Sequence, residues 1–264
     1  MSAEPACPGC GAVAETEIGR AGVCHLWRCG CGLVFADRAT WRDPYAGSDY
    51  YDPAHQPEQS YPLRITATER DRIGTVRRFL TNGRLLDFGG GIGKTALAAH
   101  AAGFSAVVLE DSHKAVVEGR AHHPEIEWLE GREMPHSIAD GSLDVVTMFH
   151  VLEHLPEPGE VLRQIGRKLR AGGLLVIEVP NWGSHVRRLR GLRWEFVLDH
   201  HLNHFTAGSM KPLVEQAGFE RCAVEYRRTF SINEAQPWKE PMKRLLCALG
   251  FGDILRCAFR KTAA

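Results

Sequence analysis

Leu85-Leu86-Asp87-Phe88-Gly89-Gly90-Gly91-Ile92-Gly93-Lys94-Thr95 is the stretch that decides the fold. An apolar run ends in an acid and a glycine cluster, and an Ala-rich run from Thr95 to Ala102 follows at once. That order reads as strand, tight turn and helix N-terminus, the place where α/β proteins bind nucleotide-like ligands. Gly89, Gly91 and Gly93 let the backbone come close to a ligand, because a Cβ there clashes or forbids a positive φ. Spacing separates the ligand classes. A P-loop needs a glycine five residues before its Gly-Lys-Thr, and that position holds Phe88. The dinucleotide fingerprint closes on Gly or Ala, and Lys94 stands there instead. What remains is Asp87-x-Gly89-x-Gly91-x-Gly93.

Around this stretch the pattern alternates. Strands are expected at 84–88, 105–109, 126–128, 143–149 and 174–179. Helices are expected at 94–102, after a Ser112 cap, and at 159–170, where Gly172-Gly173 stops the last of them. The run 174–179 is nearly all apolar, as suits a strand covered on both faces. A helix at 209–217, a strand near 219–226, a helix near 240–248 and a strand near 254–260 follow. Strands alternating with helices over this length predict an α/β fold, a doubly wound and mostly parallel sheet. Upstream, Ile73, Val76, Phe79 and Leu80 predict a helix over 66–80, and a loop rich in tyrosine (Tyr45, Tyr50, Tyr51, Tyr61) precedes it. That loop is expected to pack over the ligand.

The 264 residues suffice for one α/β domain and something small. Lys+Arg and Asp+Glu both number 32, so no basic excess points to nucleic acid or an anionic membrane. Met1-Ser2-Ala3-Glu4-Pro5 does not read as a signal peptide, and no apolar run is long enough to span a bilayer. A reducing, cytoplasmic setting is expected, in which cysteines are thiols or metal ligands.

Five of the eight cysteines lie in the first 31 residues: Cys7, Cys10, Cys24, Cys29 and Cys31. Cys7-Pro8-Gly9-Cys10-Gly11 reads as a zinc knuckle, whose turn aims two sulfurs at one ion. Cys29-Gly30-Cys31 is one residue short of the usual spacing, so Cys24 or His25 stands as an alternative to one member of that pair. Four thiolates from two turns predict a closed, structural zinc site, with Cys7, Cys10, Cys29 and Cys31 as ligands.

The glycine motif resembles the first motif of the class I S-adenosylmethionine-dependent methyltransferases. So do Ser142-Leu143-Asp144-Val145-Val146, His150-Val151-Leu152-Glu153-His154-Leu155 and Ala171-Gly172-Gly173-Leu174-Leu175 through Val179-Pro180-Asn181. Trp194 and His201-Leu202-Asn203-His204-Phe205-Thr206 continue the pattern of a small-molecule subgroup in which an N-terminal Cys-rich ribbon recurs. The resemblance implies a Rossmann-like seven-stranded sheet with an antiparallel last strand, plus the small zinc ribbon. It divides the chain into a ribbon at 1–36, an aromatic loop and capping helix at 37–80, and a methyltransferase domain at 81–264 with a lid insertion near 182–206. It implies S-adenosylmethionine as cofactor, held by Asp87, Gly89, Gly91 and Gly93. Glu110 would take the ribose diol, Glu130 and Gly131 the adenine as acceptor and backbone donor, and His150 would line the pocket. The acceptor is expected to be a small molecule such as a sugar, quinone or natural-product intermediate, methylated at oxygen or carbon.

Histidine is the natural base near neutral pH. His200, His201 and His204 are the candidates, while His154 in a helix-start motif reads as structural. Arg187 and Arg188, in a run of four arginines before Trp194, suit an anionic acceptor. Two rivals stand beside this reading: a dinucleotide-dependent oxidoreductase on a similar core, and a non-catalytic protein that senses the cofactor and binds a partner through its ribbon.

Overall fold

The computed structural model describes residues 4–38, 63–228 and 240–263. The tyrosine-rich loop lies outside the described residues. The first elements are β1 (Thr16–Ala21), β2 (Cys24–Arg28), β3 (Val34–Ala36) and α1 (Ala67–Arg77). Next come β4 (Gly83–Phe88), α2 (Lys94–Ala101), β5 (Phe104–Glu110), α3 (His113–His122), β6 (Glu127–Glu130) and β7 (Leu143–Phe149). Then follow α4 (Pro158–Lys168), β8 (Leu169–Pro180), α5 (His185–Arg190), β9 (Asn203–His204), α6 (Ala207–Glu215), β10 (Phe219–Arg227), α7 (Glu240–Ala248) and β11 (Ile254–Lys261).

Seven strands form one sheet in the order β10-β11-β8-β7-β4-β5-β6, mostly parallel with the last strands antiparallel. The other sheet has the order β1-β2-β3-β9. The described residues cluster into two units, one drawn from Met1–Asp43, His150–Leu162 and Ile177–Ala258, the other from Pro44–Phe149, Arg163–Val176 and Phe259–Ala264.

In the second unit, β4 pairs parallel with β5 and with β7, and β5 pairs parallel with β6. Leu85, Leu86, Val107, Val108, Val145 and Val146 are all fully buried. This is what the continuous apolar runs require, because a strand buried on both faces has no polar side. Burying each such side chain contributes about 1.5–3 kcal/mol. α1 starts on a capping box, in which Glu69 accepts from the Thr66 N–H at 2.7 Å and the Thr66 hydroxyl accepts from Thr68 at 3.2 Å. The glycine pair expected to stop a helix at 170 does something else. α4 ends at Lys168, the chain enters β8 at once, and Gly172 (φ 69°) and Gly173 lie inside that strand. A Cβ on Gly173 would sit 2.9 Å from the Arg170 carbonyl oxygen, so the close backbone there needs glycine.

In the first unit, the N-terminal hairpin continues into a segment far along the chain. β3 pairs with β9, Val34 opposite His204 and Phe35 opposite Asn203. A shared core of Ala21, Cys24, Leu26, Val34, Ala36, Trp182, Trp194 and Leu202 lies beside this sheet. The ribbon strands therefore share their sheet and their core with residues from the 182–206 segment. Among the described residues no helix is long and apolar enough to cross a membrane.

Candidate functional site

The glycine loop follows β4 directly. Gly89, Gly91 and Gly93 have φ of 67°, 57° and 85°, the left-handed region that favours glycine. Gly93 caps α2, and a Cβ on it would come within 2.5 Å of the Trp128 ring, so both the turn and the packing exclude a side chain. Gly89 and Gly90 donate to the Leu109 carbonyl at 2.8 and 3.3 Å, which ties the loop to the end of β5.

Two carboxylates flank this loop. Glu110, the last residue of β5, is 6% exposed. It accepts from the Gly91 N–H at 2.8 Å through one oxygen and from the Ser112 N–H at 2.9 Å through the other. A carboxylate has about four acceptor positions, so the backbone donors on Glu110 do not use up its capacity to accept from a diol. Burial raises its pKa, against the backbone donors that favour the ionised form. Asp87 is 3% exposed and accepts from the Thr147 hydroxyl at 2.7 Å. Burial pushes its carboxyl up to about 6, opposed by Thr147 and the Arg72 charge and reinforced by the charge of Glu110. Thr147 was not singled out by the sequence, although a hydroxyl inside an apolar strand is a signal that it has a buried partner.

The β5–β6 register sets Glu130 beside Glu110. Glu130 contacts His113 at 2.9 Å on the surface. The Gly131 N–H already donates to the Glu110 carbonyl at 2.9 Å as the ladder runs out. The backbone donor expected of Gly131 is thus spent on the sheet, a correction to its adenine role.

The first unit holds the histidines. His150, immediately after β7, is the only non-glycine residue with positive φ (58°) among the described residues. Its N–H donates to the Glu178 carbonyl at 2.8 Å, and its ring nitrogens face Glu153 at 3.3 Å and Glu178 at 3.5 Å. Burial lowers its pKa, but the two carboxylates outweigh that and push it up to about 9. Its side chain is 35% exposed, so water softens that shift. Glu178 also holds Arg256 at 2.7 Å, and Arg256 faces Glu225 at 3.6 Å, forming a buried chain of alternating charge. An acid in the otherwise apolar run Leu-Leu-Val-Ile-Glu-Val was the available signal for this network.

His154, His200 and His201 lie together, with ring centroids 4.8 to 5.4 Å apart. His154 Nδ1 meets the His200 carbonyl at 3.0 Å and His201 Nδ1 meets the Phe196 carbonyl at 2.9 Å. His200 Nδ1 faces Asp199 at 3.3 Å. Burial lowers the pKa of His154, and that of His201 to about 4. His204 is 3% exposed, sits in β9 against Trp182 at 4.7 Å, and is lowered to about 3 by burial. Its place in the core removes it from the candidate bases, since a base must reach the proton it takes.

Trp194 is 2% exposed and part of the shared core, so it is a packing residue and not the substrate contact expected of it. Arg187 stacks its guanidinium 3.8 Å from the Trp182 ring, and exposed Arg188 lies 4.8 Å from Phe251.

At the N-terminus, Cys7, Cys10, Cys29 and Cys31 bring their sulfurs within 4.8 Å of one another. Cys7 and Cys31 are 3.7 Å apart, Cys10 and Cys29 3.4 Å. Zinc–sulfur bonds of about 2.3 Å in a tetrahedron put sulfurs about 3.8 Å apart, so the set fits such an ion. The two turns match. Gly11 donates to the Cys7 carbonyl and Gly32 to the Cys29 carbonyl, both at 2.8 Å, with φ of 75° and 84°. The short Cys29-x-Cys31 spacing thus reaches the cluster, and neither alternative belongs to it. Cys24 is buried near the Asp199 carbonyl at 3.9 Å, and His25 contacts Glu17. Burial raises the Cys7 thiol strongly and the Cys31 thiol to about 11, so a cation is needed to hold these sulfurs as thiolates.

A seven-stranded sheet in this order, with a glycine loop after its inner strand β4 and a buried acid closing β5, defines a Rossmann-like fold of the methyltransferase kind. Residues 59–224, more than half of the chain, match the family model described as "Methyltransferase domain", and the chain belongs to that family, among the class I S-adenosylmethionine-dependent methyltransferases. A ubiquinone biosynthesis O-methyltransferase from a Caulobacter species is 30% identical over 169 residues, covering 61% of this chain and 66% of that protein. A protein of Mycobacterium tuberculosis named "Probable S-adenosylmethionine-dependent methyltransferase" is 33% identical over 75 residues, covering 28% of this chain and 27% of its own length. The chain thus spans about a quarter of the one relative and just under two thirds of the other. The structure of a SAM-dependent methyltransferase from Archaeoglobus fulgidus superposes with a TM-score of 0.58 at 17% identity, over 80% of this chain and all of that one, a likeness of fold.

Proposed function

We propose that this chain is an enzyme that transfers the methyl group of S-adenosylmethionine to a small-molecule acceptor, at oxygen or carbon. The observation that carries this reading is the bond from the Gly91 N–H to Glu110, which locks a glycine loop to an acid with acceptor positions to spare. The cofactor supplies an already activated methyl group. The chain's own part is to hold it and to place the acceptor. Glu110 takes the ribose diol, Asp87 braces the loop and faces its cationic amino group, and Gly89, Gly91 and Gly93 keep the approach open. Glu130 is the remaining group for the adenine edge, since the Gly131 amide is committed to the sheet. Positioning alone can lower a barrier by several kcal/mol, and a placed proton acceptor adds about 10²–10⁴-fold. His200 and His201 are the groups proposed to take the acceptor's proton.

Support for a small acceptor comes from the relative named for ubiquinone biosynthesis, an O-methyltransferase. Arg187 and Arg188 are the groups proposed to favour an anionic one. The four cysteines are proposed to hold a structural zinc ion. The deciding experiment is calorimetric titration of the metal-replete protein with S-adenosylmethionine beside a Glu110→Ala variant. Micromolar binding that the variant loses supports the reading. Binding of a nicotinamide cofactor in its place overturns it.

A further inference from the structure

We propose that Arg28, Arg187 and Arg188 bind a phosphoryl group of the methyl acceptor, so that the N-terminal hairpin supplies part of the acceptor site. The cross-strand registers bring the parts together. Arg28 in β2 stands opposite Val34 in β3, and Val34 stands opposite His204 in β9. Side chains directly opposite one another across a sheet share a face, so Arg28, Val34 and His204 form one row. The His204 ring lies 4.7 Å from the Trp182 ring, and the Arg187 guanidinium lies 3.8 Å from that same indole. Ser184 fixes the start of α5 by accepting from the Arg187 N–H at 3.0 Å, and the next guanidinium, that of Arg188, lies 4.8 Å from the Phe251 ring. Both heads rest on aromatic faces, which hold a guanidinium in place without neutralising it. Arg28 and Arg188 are exposed, so the site opens to solvent.

A second observation points to an anion. Arg187 Nε is enclosed and has no hydrogen-bond partner, and the same holds for Nε2 of His204, which is 3% exposed. Burial and the like charges of Arg28 and Arg188 all disfavour the Arg187 cation, and no carboxylate offsets them. Arg190, on the same helix, differs, because it pairs with Glu195 at 2.9 Å. A half-buried cationic donor without an acceptor is costly, and an oxyanion among the three guanidiniums offsets both the repulsion and the unmade bond. A phosphate monoester carries a charge of about −1.5 to −2 at neutral pH and three acceptor oxygens, against one charge and two oxygens for a carboxylate. Three forks of donors match the phosphoryl group on both counts. That this group belongs to a methyl acceptor rests on the proposed methyl transfer; its binding to the arginines does not.

The test is titration of the whole, metal-replete chain with inorganic phosphate, read by NMR of the arginine Nε–H groups. Phosphate is expected to shift the Arg187 resonance saturably, phenyl phosphate to bind at least as tightly, and acetate to bind about tenfold more weakly. Arg28→Gln and Arg188→Gln should each weaken phosphate by about tenfold, as the loss of a charge-assisted bond does. Arg190→Gln should leave it within about twofold, because an exposed ion pair contributes little. These three side chains are exposed, and unchanged thermal unfolding reports that each variant folds. No saturable shift, acetate binding as tightly as phosphate, or an Arg190→Gln loss equal to that of Arg28→Gln overturns the site. Exclusion of phenyl phosphate overturns the link to an acceptor and leaves a site for free phosphate. S-adenosylmethionine titration of the same samples separates the two readings. Phosphate binding without cofactor binding keeps the arginine site and overturns methyl transfer; the reverse overturns the site and leaves methyl transfer standing.

Discussion

Asp87→Asn should make the protein more stable at neutral pH while weakening its hold on the cofactor. Asp87 is 3% exposed, and its carboxyl stands at about 6 in the folded chain against 3.8 for the free side chain, chiefly through burial. At about 1.4 kcal/mol per pKa unit, holding the ionised form inside the fold costs about 3 kcal/mol. The sign follows from the raised value. Below pH 4 the group is protonated folded and unfolded, and the cost is absent. It grows between pH 4 and 6 and is complete above that. An asparagine is neutral throughout and can still accept from the Thr147 hydroxyl, now 2.7 Å from the carboxylate. Urea unfolding of both proteins from pH 4 to 8 measures the difference. The stability of the variant relative to wild type should rise by about 3 kcal/mol across that range, with the rise centred near pH 5. Calorimetry should show weaker S-adenosylmethionine binding in the same variant. A stability difference that does not change with pH would refute the argument, because it would mean the buried group carries no charge cost.

Three further outcomes follow from the packing. Arg256→Met leaves Glu178 buried without its main partner and should cost about 3–5 kcal/mol in urea unfolding, most of which a second Glu178→Gln change should restore. Gly93→Ala forces a side chain to a φ of 85° and to 2.5 Å from Trp128; thermal unfolding should fall by several degrees and cofactor affinity with it. Cys10→Ser should release the cysteine-held zinc, measured by a colorimetric chelator, whereas Cys24→Ala should destabilise the chain yet keep the ion, because its sulfur lies outside the cluster.

Much of the cofactor-side architecture was legible because it is local. The alternation of apolar runs and helices around Asp87 set the sheet, and positive φ at Gly89, Gly91 and Gly93 follows from residue type and spacing within a few positions. The four cysteines were legible for the same reason, since two short turns present paired sulfurs in any chain that carries them. The helix end at Lys168 was misplaced because Gly172 and Gly173 carry two meanings, a stop or a close strand crossing, and only the neighbouring Arg170 carbonyl distinguishes them.

By itself the sequence determined the doubly wound sheet and the glycine loop with Glu110 at the end of the next strand. Each depends on residues whose meaning is settled by nearby neighbours. Only the tertiary structure decided that β9 joins the sheet of the N-terminal hairpin, that Trp194 and His204 are buried, and that His154 meets His200 and His201. It also decided that Thr147 and Asp87 are partners and that His150, Glu178 and Arg256 form one chain of charge. These contacts join residues tens of positions apart, so their selection rests on the burial of the whole core and on the need to satisfy every polar group enclosed with it.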